Sequence, residues 1–346
     1  MFVPRSNTSV KGKTGNTGLL TTIGAVDMHI HGAFGIDIMN ASPEIFDELS
    51  MRLWEHGVSA FCPTTLSTNA DSLTSSVTRI GRWIRSGSAP GAIPLGIHLE
   101  GPFLNKNLAG AHPARQIRPF DFDELNMLWT ASLGTLKIIT LAAELIPARD
   151  IKKLAKWSKK YGITLSLGHS AATESQARLA FDLGISGVTH AWNAMRFHHR
   201  DPGILGAAIG RQGIHIEIIP DGIHVSQSII RWLCRLHMTK GLICFVSDAA
   251  PAAQTQKGWH QLEEACRLRD GTLAGGGALL PNMYRRWLMR EAALTGAPPW
   301  KLLQSTLKFI TTAPLIALNA DKRLLNKRLV TWKASQNGIE VKREKY

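Results

Sequence analysis

No stretch of the 346-residue sequence reaches the roughly 18 to 20 consecutive apolar residues that a membrane span needs. The opening MFVPRSNTSVKGKTGNTG carries no apolar block of the secretory type. A membrane is therefore not an expected partner, and the cytoplasm is the expected address. Cysteine is scarce. Cys62, Cys234, Cys244 and Cys266 stand far apart with no Cys-x-x-Cys pair, which argues against a disulfide framework and a thiolate zinc site and leaves four reduced thiols. Aromatic residues make up only 7% and charged residues 19%, while hydrophobic residues reach 44%; this composition can bury a large core and excludes a disordered, collagen-like or coiled-coil chain.

Negative charge is also in deficit, with 26 acidic against 40 basic residues and a net charge of +14. The two ends, 1–20 and 319–346, supply 8 of that excess. Such a balance suits nucleic acid, an acidic surface or small anionic substrates. No nucleic-acid motif accompanies it, so the reading is of solvated basic termini, with nucleic acid not an expected partner.

What the sequence does contain is a repeating form. Short β-branched runs at 21–31, 58–65, 92–100, 136–144, 163–170, 185–193, 214–222 and 242–250 are each followed by turn residues, and helical periodicity fills gaps at 42–56, 72–85, 148–161, 173–183, 226–235 and 281–295. Eight strands alternating with helices predict an α/β chain folded as a (β/α)8 TIM barrel over 21–318, which has room for long loops and hardly for a second full domain. Residues 1–20 are too polar to join a core and are expected to be mobile. The basic tail 319–346 alternates weakly, as a hairpin beside the barrel would.

Ionisable residues gather at the C-terminal ends of these strands: His29 and His31, Glu100, His169, His190 and Asp248. In a barrel those ends converge on one crater, where catalytic groups sit. Each signal alone has a bland counterpart. The His29-x-His31 pair points both imidazoles to one strand face yet also arises by chance, and His169 or His190 could each be a satisfied core histidine. Glu100 follows the apolar run IPLGIHL, where an unpaired carboxylate is costly. Together the set indicates a divalent metal, Zn2+ first, with Fe2+, Mn2+ or Co2+ as replacements. Such an ion generates a nucleophile from water at neutral pH, which is hydrolytic chemistry, and Asp248, ending the last strand, is the candidate acid/base.

A second group follows strands three, six and seven on the same face. His112, Asn193, Arg200 and His224 form a candidate clamp for an anion such as phosphate, although Arg200 and His224 could equally be solvated loop residues. The run Leu273-Ala274-Gly275-Gly276-Gly277 either lets backbone approach a ligand or is a flexible turn.

The motifs DMHIHG (27–32), HLEGPFLNKNLAGAHP (98–113), LGHSAAT (167–173), THAWNAMRFHHRDPG (189–203), PDGIHV (220–225), VSDAA (246–250), GTLAGGGAL (271–279) and TTAPLIAL (311–318) together resemble the N-acetylglucosamine-6-phosphate deacetylase family of the amidohydrolase superfamily. The resemblance implies a barrel of metal-dependent hydrolase type. It implies that Glu100, His169 and His190 hold the main ion, that His29 and His31 match members able to hold a second, and that Asp248 is the acid/base. It assigns sugar-phosphate contacts to Ala111, His112, Asn193, Ala194, Arg200, His224, Leu273, Ala274 and Gly275. The implied reaction releases acetate from N-acetylglucosamine 6-phosphate and leaves glucosamine 6-phosphate, in an enzyme expected to be a homodimer. Fewer residues precede the His-x-His strand than the family usually carries, so its β-sandwich, built from the two chain ends, is expected to be reduced. Gly276 stands where serine is usual, and AAPAAQ follows Asp248 without the customary glycine. Other readings are a deacetylase for another N-acetylated amino sugar such as N-acetylgalactosamine 6-phosphate, a cyclic-amide hydrolase, or a non-catalytic polyanion-binding relative.

Overall fold

Eight parallel strands form the centre of the molecule: β1 (Ala25–Ile30), β2 (Val58–Thr65), β3 (Ile97–Glu100), β4 (Leu136–Leu141), β5 (Thr164–Leu167), β6 (Gly187–Val188), β7 (His215–Ile218) and β8 (Leu242–Phe245). Each pairs in parallel with the next in sequence. The ring closes just beyond β8, where Ile30 and Ala249 form a parallel bridge and the Asp248 N–H donates to the His29 carbonyl at 2.9 Å. The computed structural model describes residues 9–10, 18–237, 241–255, 265–336 and 338–344. Every residue of β2 is buried, as a parallel strand covered on both faces requires.

The outer layer is α1 (Pro43–Glu55), α2 (Ala70–Ser86), α3 (Phe122–Ala131), α4 (Ala148–Tyr161), α5 (Glu174–Asp182), α6 (Gly203–Ala208), α7 (Gln227–His237) and α8 (Leu280–Thr295). Their limits follow from local chemistry. The Asn69 side chain accepts the Ser72 N–H at 2.8 Å to open α2, and Gly87 closes it at φ 67 in the left-handed region. Thr173 and Gln176 form a reciprocal capping box at the start of α5. In α4, Ile151, Leu154 and Ser158 face the core while the lysines at 152, 156, 159 and 160 stay exposed.

Two sequence expectations need correction. The first run, 21–31, is two strands: Gly18–Ile23 pairs antiparallel with Leu329–Ser335, and only Ala25–Ile30 enters the barrel. The chain divides at Gly24, whose N–H lies 2.6 Å from Ser59 Oγ and 3.1 Å from the Arg328 carbonyl oxygen. A Cβ there would stand 2.5 Å from the Gly57 carbonyl oxygen, so a residue with a side chain does not fit without displacement. The helical stretches named from the sequence also omitted α3 and α6, together with the short helices Pro299–Thr306 and Thr312–Ala317.

The two chain ends form one four-stranded antiparallel sheet in the order Ser9–Val10, Gly18–Ile23, Leu329–Ser335, Gly338–Arg343. Trp332 anchors it: the indole is fully buried and meets Tyr284 of α8 edge-on, with ring centres 5.8 Å apart. Of the segment 1–20 expected to be mobile, 1–8 and 11–17 lie outside the described residues, whereas 9–10 and 18–20 are strand residues of this sheet, with Leu20 buried. All four cysteines are free. Among the described residues no helix is long and apolar enough to cross a membrane.

Candidate active site

The C-terminal ends of β1, β3, β5, β6 and β8 deliver His29, His31, Glu100, His169, His190 and Asp248 to one buried cluster. Three of them lie in the left-handed region at the strand ends, His169 at φ 47, His190 at φ 30 and Asp248 at φ 47. A non-glycine residue pays for such a conformation, and this strain is concentrated where side chains must turn inward over the barrel mouth.

Glu100 is the hub. Its Oε1 lies 3.2 Å from His169 Nε2 and 2.9 Å from His190 Nε2, and its Oε2 lies 3.4 Å from His29 Nε2 and 3.1 Å from His31 Nε2. Asp248 Oδ1 stands 3.2 Å from both His29 Nε2 and His31 Nε2. The tautomers follow from the other ring nitrogens. His169 Nδ1 is 2.8 Å from the Leu108 carbonyl oxygen, which can only accept, so Nδ1 carries the proton and Nε2 presents a lone pair. His29 Nδ1 faces Glu217 Oε2 at 3.2 Å, so in the neutral ring its Nε2 is bare as well. Imidazole nitrogens and carboxylate oxygens thus converge on one point, and in the neutral tautomers the Nε2 lone pairs of His29 and His169 face it, an arrangement that a cation satisfies.

His112 differs. Its Nδ1 accepts from the Ser67 backbone N–H at 3.0 Å, so its buried Nε2 carries the proton and lies 3.2 Å from Glu100 Oε2. Although His112 lies within reach of Glu100 and His169, the proton on its Nε2 makes it a donor there.

The charge state of the cluster without a cation is informative. Burial disfavours a protonated His31, yet hydrogen bonds to Asp248 and Glu100 and their charges outweigh it and raise the ring to about 9. Burial likewise opposes charge on His29, and Glu100 and Asp248 again prevail, holding it well above the ordinary histidine value. Burial would raise Glu100, but His29 and His112 hold it well below the usual carboxylate range. The two carboxylates thus draw positive charge to the point where the ring nitrogens meet, whether as protons on the rings or as a cation in their place.

Above the cluster opens a cavity of about 660 Å³, lined among others by Ala111, His112, Asn193, Ala194, His224, Leu273, Ala274 and Gly275. His224 Nδ1 is held 2.6 Å from the buried Asp221 Oδ2. Leu273–Gly276 is a strand rather than a flexible turn, paired with Ala265–Arg267. Gly275, at φ 84, passes so close that a Cβ would be 2.4 Å from the Asp248 carbonyl oxygen. Arg200 is not among the residues lining the cavity. It is exposed on the turn closed by His198 and Asp201, with Nη1 3.2 Å from His199 Nε2.

The residues that sequence reasoning missed at this site include Asp221 behind His224, Trp192 and Glu217. Trp192 lines the cavity at φ 68, with an indole N–H that has no partner; its signal was an aromatic next to a strand-end histidine. Glu217 sits behind His29, and its signal was a lone carboxylate inside the apolar run IHIEII.

The barrel and its cluster of histidine and carboxylate donors define a metal-dependent hydrolase of the (β/α)8 type. No family model matches the chain. It is 35% identical over 283 residues to an N-acetylgalactosamine-6-phosphate deacetylase of Escherichia coli O157:H7, covering 79% of this chain and 72% of that protein. It is 34% identical over 334 residues to an N-acetylglucosamine-6-phosphate deacetylase of Bos taurus, covering 87% and 80%. Among solved structures it superposes with a TM-score of 0.81 on a point mutant of the Mycobacterium smegmatis N-acetylglucosamine-6-phosphate deacetylase in complex with N-acetyl-D-glucosamine-6-phosphate, at 25% identity and over 94% of this chain and 86% of that one. The Thermotoga maritima enzyme gives a TM-score of 0.73 at 27% identity over 92% and 88%. The chain belongs to the N-acetylglucosamine-6-phosphate deacetylase family, whose members are metal-dependent hydrolases of carbon-nitrogen bonds.

Proposed function

We propose that this chain hydrolyses the acetamide of N-acetylglucosamine 6-phosphate, giving acetate and glucosamine 6-phosphate, with Zn2+ as the divalent ion. The observation that carries the reading is the convergence of four imidazoles on one buried carboxylate, with Nε2 of His29, His31, His169 and His190 each 2.9 to 3.4 Å from Glu100. Glu100, His169 and His190 would hold one ion, and His29, His31 and Asp248 could share a second with Glu100. A bound cation supplies a Lewis acid for the carbonyl oxygen and brings the pKa of water toward neutrality.

The chain's own residues do the rest. Asp248, a carboxylate at the end of the last strand with Oδ1 3.2 Å from His29 and His31 Nε2, would take a proton from water. The same carboxyl then gives that proton to the departing amine, which balances the reaction. The His112 Nε2–H donates to the carbonyl oxygen as negative charge develops there. His224, steadied by Asp221, lies with Asn193, Ala111, Ala194 and the 273–275 strand around the sugar and its phosphate. Arg200 is the further proposed phosphate contact. Because it stands outside the cavity of its own chain, that role goes together with the proposed homodimer, in which the exposed turn carrying Phe197 meets a second copy.

The epimer is open on a specific observation, since the two relatives above act on different N-acetylhexosamine phosphates by name. The test is acetate release from N-acetylglucosamine 6-phosphate, from its galactosamine epimer and from unphosphorylated N-acetylglucosamine, with bound metal measured in the same sample. Activity on a phosphorylated sugar alone, lost on chelation and regained with Zn2+, supports the reading. Metal bound with no acetate released from any of the three would overturn the substrate class.

A further inference from the structure

Below the cluster lies a buried carboxylate, Glu217, that the proposed chemistry does not use. Glu217 comes from the middle of β7 and is fully buried. A carboxylate in such a place is costly unless it has work to do. Its Oε2 faces His29 Nδ1 at 3.2 Å and also accepts the backbone N–H of His190 at 3.3 Å, while its Oε1 has no hydrogen-bond partner. One oxygen thus holds the ring of one candidate ligand and the main chain of another.

Two neighbours could have claimed Glu217, and neither does. His98 lies within reach of it, but its Nδ1 is committed to the Met28 carbonyl oxygen at 3.1 Å and its Nε2 to Thr140 Oγ1 at 2.8 Å. His98 therefore has no free nitrogen, and the group His29, His98 and Glu217 is not a further ion site. His215, from the same strand, is buried with its Nε2 unpartnered. The contrast with His31 is direct, because His31 Nδ1 has no partner behind it. Of the His29-x-His31 pair only the first ring is braced, and Glu217 is the brace.

We propose that Glu217 is a positioning residue which, by accepting the Nδ1–H of His29, keeps Nε2 of that ring bare toward Glu100 and Asp248 and so builds the half of the centre that the His29-x-His31 pair contributes. Carboxylates behind ligating imidazoles fix the tautomer and ring angle and raise the basicity of the ligating nitrogen. The inference rests on the reading of the cluster as a cation site.

The experiment compares wild type, Glu217→Gln and Glu217→Leu, each stripped and titrated with Zn2+ against a chromophoric chelator, with bound zinc counted after dialysis. Glu217→Leu removes the acceptor and is expected to weaken or lose the ion at His29 and His31 by about 10- to 100-fold, while the ion at Glu100, His169 and His190 stays. Glu217→Gln, whose amide oxygen can still accept the Nδ1–H, is expected to fall between the two. Zinc number and affinity unchanged in Glu217→Leu overturn the proposal, including where the wild type binds a single ion. A wild type that binds no zinc overturns the cation reading itself and is thereby distinguished. Should the leucine variant not fold, nitrogen-15 NMR of zinc-loaded wild type decides: the proposal requires an exchange-protected His29 Nδ1–H, assigned by its loss in His29→Gln, and an unprotonated Nδ1 refutes it.

Discussion

His112 and His169 are both buried imidazoles beside Glu100, with ring centres 4.7 Å apart, yet the group on the far nitrogen of each gives them opposite roles. A backbone N–H behind His112 leaves it a donor; a backbone carbonyl behind His169 frees the lone pair on its Nε2, as the proposed ligand role requires. His169→Ala is therefore expected to lose bound zinc and activity together. His112→Ala is expected to keep its zinc and lose about 10²- to 10³-fold in kcat, the usual loss when one donor to a developing oxyanion is removed. Metal analysis beside steady-state kinetics checks both, and zinc loss in His112→Ala would make it a ligand instead. Asp248 makes a related case. Asp248→Asn keeps the shape and an acceptor oxygen but can neither take nor return a proton, so kcat is expected to fall by about 10² to 10⁴. A variant turning over within a few-fold of wild type would remove Asp248 from the proton transfer.

At the scale of elements, the helices depend on single residues that tie them to the strands. His237 ends α7 and is fully buried, its Nδ1 accepting the Gly210 N–H at 3.1 Å and its Nε2 donating to the Ile214 carbonyl oxygen at 2.9 Å. It spans the turn that leads from α6 into β7. Burial lowers its pKa below the ordinary 6.5, against the raising effect of the Ile214 bond. Its folded value thus lies below its unfolded one, so the unfolded chain binds more protons, and the stability the ring contributes is present above pH 6.5 and lost as the pH falls below it. His237→Gln is expected to melt below wild type at pH 8, with the gap narrowing as the buffer is taken towards pH 5. Thermal melts across that range check it, and a gap that does not change with pH would show that the ring does not titrate on unfolding.

The same scale shows what the sequence could and could not reveal. All eight barrel strands were legible because each is a β-branched run between turn residues, and the candidate ligands were legible because charge at the end of an apolar run stands out. The break at Gly24 was not, since the steric demand comes from Gly57 and Ser59, remote in sequence. Helix α6, Gly-Ile-Leu-Gly-Ala-Ala, is six residues long with two glycines, too short for a period to show. Glu217 was hidden mid-strand, where alternation says only that a side chain points inward. Arg200 was correctly assigned to a loop on the catalytic side, but the direction a loop arginine takes is set by local bonds such as that between His198 and Asp201, which no spacing encodes.

For the whole molecule, the cluster lies where the barrel is joined most sparsely. Neighbouring strands β1 to β8 share two or more paired residues each, but between β8 and β1 the described pairing is the single Ile30–Ala249 bridge, flanked by main-chain bonds from Asp248 and His31. His29 and His31 stand on one side of that seam and Asp248 on the other, with Glu100 joining them to His169 and His190 across the mouth. Cations held by these groups, as proposed, would together link five strands and would bind the folded chain because the unfolded chain does not assemble the donors. The contribution follows from mass action: free ion at 100 times its dissociation constant stabilises by about 2.7 kcal/mol, independent of which contacts are invoked. At about 2 to 4 °C per kcal/mol for chains approaching this size, stripping with a chelator is expected to lower the melting temperature by several degrees, and restoring Zn2+ to recover it. Glu100→Gln supplies the internal control, since it leaves the seam's main-chain bonds in place while weakening the hub: its melting temperature is expected not to respond to chelator. Calorimetric melts of both proteins with and without chelator decide the matter. An equal shift in the two would mean the ion is held away from Glu100, and no shift in wild type would mean that the folded cluster gains nothing from the cation its geometry calls for.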